Sequence, residues 1–386
     1  MTTILGLIGA ILVLCVAVGL HEFGHMLAAK KCGVGVIEYS IGMGPVIWHK
    51  RKGDTVYSFR LIPFGGYCAM YGEQSLEAKT KGESCCDKPK RKRFWQKSPE
   101  EMNYKLDWQP EQALSNQVWW KKCIVLFAGP LANLLLGIVI CLVLTLCFMV
   151  PAEPTVVELI EDHPAIESGL QIGDVIVGVN DRDVLTWNDY NLYINTHPDM
   201  IQDGFTLRVR RGEEVISINA TRREDDQLFG MRVKQEEIPS SFGTVLQYTW
   251  NTTSYMFRSV FDSLSMLCRG AASVKDMSGV VGLTNAIVRS TDEVITESTE
   301  AGVSVIGPLI SLLLTISALL SINLGIMNLL PIPALDGGRI VLSLFEGIFR
   351  KKVPTKIEFA INSIGMVFLL GLMVYIVIQD VTKLFS

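Results

Sequence analysis

Two histidines four residues apart, with a glutamate beside the first, form the pattern in this chain that points most directly to chemistry. His21, Glu22 and His25 follow an apolar run that begins near Ile4. Residues four apart share one face of a helix, so both imidazoles can bind one metal ion while Glu22 reaches a water on that ion. Zinc takes imidazole nitrogen readily, and catalytic zinc sites keep one position open for water. The pattern predicts Zn²⁺ bound by the histidines, with Glu22 as the catalytic residue. A purely structural role for the histidines is the alternative.

The amino-acid composition indicates membrane spans together with a soluble domain. Of 386 residues, 49% are apolar and 19% are charged, a mixture unlike that of an ordinary soluble protein. Four uncharged runs are long enough to cross a bilayer, the first of them together with the histidine segment. The first run lacks a basic start and a small-residue cleavage site, so we expect a membrane helix there rather than a signal peptide. We predict a polytopic α-helical membrane protein with transmembrane helices at 1–31, 118–150, 303–331 and 357–380.

Charge is distributed unevenly along the chain. Residues 30–122 carry 17 Lys/Arg and 10 Asp/Glu, whereas residues 151–303 carry 12 Lys/Arg and 24 Asp/Glu. Short membrane-flanking loops rich in Lys and Arg stay in the cytoplasm. We therefore expect the 31–117 and 332–356 segments in the cytoplasm, and both termini with the 151–302 region outside. The nine cysteines show no disulfide framework.

The region after the first span indicates a small β-structure. Over residues 32–72, short runs of β-branched and aromatic residues alternate with turn segments such as Gly42-Met43-Gly44. Unpaired strand edges cannot face lipid, so we predict a membrane-reentrant β-hairpin sheet that is shielded by protein. Residues 73–117 are polar and predict a flexible or weakly helical cytoplasmic insert.

Residues 153–235 predict a compact α+β domain. The segment from Ala165 to Asn180 resembles a PDZ domain in its A-x-x-S-G-L-x-x-G-D-x-I-x-x-V-N pattern. PDZ domains bind extended peptides by strand addition. The resemblance implies one extracytoplasmic PDZ domain, followed by a helical region over 236–302. A domain that acts only by its bulk is the alternative.

A catalytic zinc site usually has three protein ligands, and the end of the third span offers Asp336. Ionisable residues at the membrane are rare and point to function. The first and third spans both run from outside to inside, so Asp336 and the two histidines should arrive at the same depth. Two glycines and two prolines around Asp336 interrupt the helix, as backbone does around a cavity. We predict that Asp336, at the start of a loop over 332–356, completes the metal site with His21 and His25.

The two motifs together resemble those of the site-2 protease family, which consists of intramembrane zinc metalloproteases. The matching residues are His21-Glu22-Phe23-Gly24-His25 and Asn328-x-x-Pro331-x-Pro333-x-Leu335-Asp336-Gly337. The single PDZ-like domain between the second and third spans is similar to the bacterial RseP/RasP branch of this family. Two further segments share that similarity: Gly42-Met43-Gly44 and Ser278-Gly279-Val280-Val281-Gly282. The resemblance covers nearly the whole chain.

The resemblance implies a zinc metalloendopeptidase of the bacterial inner membrane that acts in regulated intramembrane proteolysis and stress responses. Its substrates would be single-span membrane proteins, cut within or near the transmembrane segment after another protease has trimmed them. Anti-sigma factors and remnant signal peptides are the implied types, and no nucleic-acid partner is expected. The resemblance gives Asn328 a substrate-binding role. The further substrate-binding candidates are Asn323, Gly42, Gly44, Pro331 and Pro333.

The residues alone leave two other functions possible. A membrane-tethered zincin acting on soluble peptides would need a third ligand soon after His25, and Glu38 is the close candidate, although it precedes a strand. A catalytically inactive membrane PDZ adaptor would have no need of the complete His, Glu, His and Asp set.

Overall fold

A computed structural model describes residues 2–72, 108–148, 150–151, 153–160, 163–197, 204–221, 229–234, 236–237, 241–270 and 279–385. Most of the predicted polar insert, residues 73–107, lies outside these ranges. The chain divides into two compact units, residues 1–137 with 278–386, and residues 138–277.

Long helices dominate the described part of the chain. The α-helices of the described ranges, long and short, are α1 (Thr2–Lys31), α2 (Trp119–Cys147), α3 (Pro164–Glu167), α4 (Trp187–Thr196), α5 (Phe242–Arg269), α6 (Val280–Glu300), α7 (Ile306–Leu329), α8 (Asp336–Phe349) and α9 (Thr355–Phe385). Four contain candidate membrane spans: α1 from Ile11, α2, α7, and α9 from Lys356 to Lys383. A helix suits the bilayer because its backbone N–H and C=O groups are satisfied within the segment. The four predicted transmembrane helices are therefore present as candidate membrane-spanning helices.

The predicted loop over 332–356 is largely helical, because α8 occupies Asp336–Phe349. The helix begins at an acidic residue, which the positive end of the helix dipole favours. Its apolar residues recur at helical spacing on one face, so the segment is amphipathic. The glycines and prolines interrupt the chain before and at the start of this helix rather than along all of it.

The β-structure predicted over 32–72 consists of two long strands, β1 (Val36–Lys52) and β2 (Thr55–Met70). Both strands bend, so residues 38–41 of β1 lie between residues 66–69 and residues 56–59 of β2. Residues 46–52 pair with residues 55–60 on the far side. The sheet therefore has two edges, formed by segments 66–70 and 46–52.

The end of the predicted insert packs against this sheet. Residues 110–112 and 114–116 form two 3-10 turns. Trp108 stacks on Tyr71 with ring centroids 6.3 Å apart, and the Leu114 N–H donates to the Tyr71 carbonyl at 2.8 Å. Within the segment predicted as flexible or weakly helical, residues 108–117 thus contain two short 3-10 turns and bury Leu114 in the core under the sheet.

Small residues allow the helices of the first unit to approach closely. A Cβ on Gly24 of α1 would lie 2.9 Å from the Cβ of Ala132 in α2, and a Cβ on Gly137 of α2 would overlap Ile322 of α7. Such contacts are typical of membrane helices, whose association depends on close packing rather than on a hydrophobic driving force. The helices α1, α2 and α7 therefore form a tightly packed group, and α8 follows directly from α7.

The second unit is an α+β structure joined to a long helix. Its strands are β3 (Val150–Pro151), β4 (Val156–Leu159), β5 (Val175–Val179), β6 (Arg182–Asp183), β7 (Phe205–Arg211), β8 (Glu214–Ala220), β9 (Met231–Val233) and β10 (Glu236–Glu237). The antiparallel sheet has the order β6-β5-β7-β8, with β4 paired to β9 and β3 to β10. The described residues of 153–235, for which we predicted a compact α+β domain, contain strands β4 to β9 and helices α3 and α4.

Ion pairs stabilise the second unit. Buried Asp189 of α4 accepts from Arg182 at 3.0 Å and from Arg258 of α5 at 2.7 Å, which fastens α5 to the α+β structure. Arg211 at the end of β7 binds the carboxylate of Asp174, and this hydrogen bonding holds the pKa of Asp174 below its usual range.

Candidate metal centre and catalytic cavity

Three donor atoms from two helices converge on one point. The Nε2 atoms of His21 and His25 lie 3.2 Å apart, and Oδ2 of Asp336 lies 3.1 Å from the first and 3.2 Å from the second. Both histidines are buried, and the Asp336 side chain is 15% exposed. Three ligand atoms in this arrangement can hold one metal ion. The fold thus brings together the three residues predicted as ligands, although Asp336 is 311 positions from His25.

Backbone packing places the carboxylate. Asp336 is the first residue of α8 and follows a tight loop, residues 331–335, that leads out of α7. A Cβ on Gly337 or Gly338 would overlap the backbone of this loop and of the last residues before it. Only glycine permits so close an approach. The Gly-Gly pair therefore lets α8 begin directly against the end of α7, which brings the Asp336 carboxylate to the histidines.

The hydrogen bonding of His25 favours a cation at this point. Its Nδ1 lies 2.8 Å from the carbonyl oxygen of Val125, which can only accept, so Nδ1 carries the proton. If the imidazole is neutral, its Nε2 atom then presents a lone pair toward the Asp336 carboxylate. Two such acceptors repel each other unless positive charge lies between them. Two imidazoles and one carboxylate are a donor set that catalytic Zn²⁺ takes, with a fourth position left for water. The residues present fit zinc.

A cavity of about 450 Å³ opens at the three donor atoms. Glu22 borders it beside the hairpin, where a Cβ on Gly66 would lie 3.6 Å from the Glu22 Cγ. The other lining residues are Tyr67, Cys68, Ala69, Met70, Leu126 and Arg339. One wall of the cavity is therefore the 66–70 edge of the sheet.

None of the predicted substrate-binding residues is among the described residues that line this cavity. Asn323 is exposed and Asn328 is half-buried, both toward the end of α7. The other four lie in the loop after α7 (Pro331 and Pro333) and at the bend of β1 (Gly42 and Gly44). A role in substrate binding for these residues stays a prediction.

Glu38, the third ligand that a tethered zincin would need, has other partners. Its carboxylate accepts hydrogen bonds from Ser58, Arg60 and Tyr67 at 2.5–2.7 Å, inside the sheet, and the residue is 1% exposed. A buried carboxylate with a guanidinium partner is held where it is, because removing it would leave that cation unpaired. Glu38 is therefore not available to the histidines.

The sequence pattern did not point to α2, yet this helix supports both histidines. Val125 accepts from His25, a Cβ on Gly129 would overlap the His25 ring, and the Asn133 amide lies 3.4 Å from Nδ1 of His21. Spacings of four place the three residues on one face of the helix. A polar Asn133 within an otherwise apolar run was the signal that could have marked this face.

Membrane-length helices around a His-Glu-x-x-His centre that an aspartate completes define a metal-dependent hydrolase embedded in a membrane. The chain belongs to Peptidase family M50, which matches residues 9–372. It is 31% identical to the zinc metalloprotease RasP of Shouchella clausii, over 98% of this chain and 99% of that protein. A putative zinc metalloprotease of Clostridium acetobutylicum is also 31% identical, over 96% of each chain. Another from Staphylococcus aureus is 28% identical over the full length of both.

These relationships confirm the predicted family and activity. The protein is an intramembrane zinc metalloprotease of the site-2 type, and Zn²⁺ is its cofactor.

Proposed function

We propose that this protein cleaves single-span membrane proteins within or near their transmembrane segment, with His21, His25 and Asp336 holding Zn²⁺ and Glu22 as catalytic residue. The convergence of three donor atoms in a cavity with a sheet edge as one wall supports this assignment. The intact set of catalytic residues argues against the inactive PDZ adaptor.

The residues of the cavity would share the chemistry of peptide hydrolysis. Bound zinc supplies a water with a pKa lowered toward about 7 and polarises the scissile carbonyl. Glu22, at the cavity wall, takes the proton of the attacking water and passes it to the leaving amine. Asn328, and less directly Asn323, would donate to the substrate backbone or to the developing oxyanion once a substrate fills the site.

The sheet edge offers a way to hold an unwound substrate. A helical segment hides its amides, so it must become extended before it is cut. Within the described residues, segment 66–70 pairs with β1 on one side only, and its other side faces the cavity. An extended peptide can add to such an edge through backbone hydrogen bonds. We propose that this edge places the scissile bond beside Glu22.

A crosslinking experiment tests this placement. A photoreactive residue is introduced in place of Ala69, at the cavity edge, or of Trp48, at the opposite edge of the same sheet, in protein that carries Glu22→Gln. A single-span substrate is expected to crosslink at position 69 and not at position 48. Equal crosslinking at both positions would contradict strand addition at the cavity edge.

Exposed apolar side chains support the membrane-associated position of the hairpin. One part of the sheet exposes Met43, Ile47, Trp48, Phe59, Leu61 and Ile62, each by 45–59%. A contiguous exposed apolar patch marks an interaction with a membrane or a partner. Because this protein is a membrane protease, lipid next to the active-site helix is the environment that suits this apolar patch.

We further propose that residues 153–235 form a single extracytoplasmic PDZ domain that keeps bulky ectodomains from the active site. The antiparallel sheet, the helix α4 and the PDZ-like segment from Ala165 to Asn180 support this. Substrates would then be fragments that another protease has already trimmed, of the anti-sigma factor or remnant signal peptide type. Co-purification with the Glu22→Gln protein tests this: trimmed single-span fragments are expected, and intact proteins with large ectodomains would exclude the size filter.

We propose that the protein lies in the bacterial inner membrane with residues 151–302 and both termini outside and the metal site toward the cytoplasm. Cys268 of α5 is exposed and can report this orientation. In a variant with Cys268 as its sole cysteine, an impermeant maleimide is expected to label spheroplasts without detergent. The matched control carries Lys352→Cys as its sole cysteine and should react only after permeabilisation. The reverse pattern would invert the topology.

A further inference from the structure

We propose that Asn133 is a positioning residue of the metal centre. Its amide oxygen accepts a hydrogen bond from Nδ1 of His21 and so keeps Nε2 of that imidazole directed at zinc. This inference rests on the proposed role of His21 as a ligand.

Asn133 has the burial and the proximity that this role needs. It lies in α2, is 0% exposed, and its side-chain nitrogen is 3.4 Å from Nδ1 of His21. Its amide oxygen is buried and lacks a hydrogen-bond partner within the described residues. A buried, unpaired carbonyl oxygen is costly, and an exception of this kind in a native structure points to a partner or a function.

The chemistry of the imidazole supplies the partner. With Nε2 as a zinc ligand, the proton of a neutral His21 lies on Nδ1, which becomes a donor. A half-turn of the Asn133 amide exchanges its oxygen and nitrogen, and these two atoms are distinguished by the hydrogen bonds they make. The oxygen then lies at the position 3.4 Å from Nδ1, where it accepts this proton. This rotation gives the Nδ1–H of the zinc-binding tautomer an acceptor, and the amide nitrogen takes the position that the oxygen held. The tautomer of His21, rather than the number of paired amide atoms, selects this orientation.

The same helix supports His25 in the corresponding way. Nδ1 of His25 donates to the carbonyl of Val125 at 2.8 Å, and Val125 lies two turns before Asn133 on the same face of α2. Metal-bound histidines generally donate their second N–H to a carbonyl or carboxylate that fixes their orientation. The hydroxyl of Ser321 in α7 donates to the backbone carbonyl of Asn133 at 2.8 Å and fixes this turn of α2. The outer hydrogen bonds of both histidines thus come from α2.

Zinc affinity of the full-length protein in detergent, measured by competition with a chelator, tests this role without turnover. Asn133→Leu keeps the branching at Cγ but removes the acceptor, and about 10- to 100-fold weaker zinc binding is expected. Asn133→Asp keeps an acceptor and is expected to bind zinc at least as tightly as the wild type. If Asn133 mattered only as a buried residue, Asn133→Asp would bind zinc more weakly than Asn133→Leu, because a buried carboxylate without a partner is more destabilising than a buried apolar group.

The control is Thr145→Val, which removes another buried polar group of α2. Its hydroxyl donates to the Cys141 carbonyl at 2.8 Å and accepts from Thr249 of α5 at 3.3 Å. Its zinc affinity should equal that of the wild type. Wild-type affinity in Asn133→Leu would overturn the inference. If that variant does not fold, Asn133→Asp decides, and a loss of more than about tenfold in a folded protein overturns it.

His21→Ala separates the two levels of the proposal. Wild-type zinc content in this variant would overturn the metal site itself. Loss of zinc in His21→Ala, together with normal zinc in Asn133→Leu, would overturn only the role of Asn133.

Discussion

Glu22→Gln is expected to lower the turnover of a single-span model substrate by roughly 10²- to 10⁴-fold, the range for loss of a general base. Glutamine has nearly the same shape as glutamate but cannot take the proton of the attacking water. The three donor atoms belong to His21, His25 and Asp336, so the variant should keep a full complement of zinc. Cleavage in detergent and the metal content of the same preparation give the two measurements.

The turnover and the zinc content of Glu22→Gln together define the role of Glu22. Low turnover with full zinc content supports proton transfer. Unchanged turnover would exclude Glu22 as the base. Low turnover with lost zinc would instead assign it to the metal site. The inactive, zinc-loaded protein is also the form suited to capturing substrates.

Asp336→Ala is expected to lose zinc and, with it, activity. Its Oδ2 lies 3.1 Å and 3.2 Å from the two imidazole nitrogens, and alanine leaves two of the three proposed ligands among the described residues. Loss of a direct ligand should exceed the roughly 10- to 100-fold effect typical of residues that only support ligands. Zinc content after dialysis and cleavage of the model substrate provide the measurements.

Asp380→Ala is the matched control for this loss. Asp380 of α9 is also a buried aspartate, 4% exposed, but it accepts from the backbone N–H groups of Gly279 and Gly282 at the start of α6. Its removal should lower thermal stability and leave zinc bound. If Asp336→Ala keeps wild-type zinc content and activity, another acidic residue must be the third zinc ligand.

Local patterns in the chain were sufficient for the elements and for the proposed ligands. Uncharged runs of span length located α1, α2, α7 and α9, because a bilayer allows little else over such a length. Helical spacing placed His21 and His25 on one face. The distribution of Lys and Arg then brought Asp336 to the same depth as the histidines, although it comes far later in the chain.

These local sequence patterns did not predict how the helices and strands contact one another. The amphipathic helix α8 was expected as a loop because glycines and prolines signal interruption, whereas here they mark a close packing against the end of α7. Glu38 was a ligand candidate by distance along the chain, but the sheet surrounds it with Ser58, Arg60 and Tyr67.

The sequence itself was thus enough to propose the His-Glu-x-x-His motif and its aspartate as the metal site. Helical periodicity and the distribution of charge are local properties that can be read along the chain. The support for that motif was decided only by the tertiary structure. Gly129 and Asn133 lie against the histidines because small residues let α1 and α2 approach closely. The 66–70 segment becomes a cavity wall because both strands bend. Such contacts depend on the shapes of surfaces far apart in the chain, and a single sequence holds no separate signal for them.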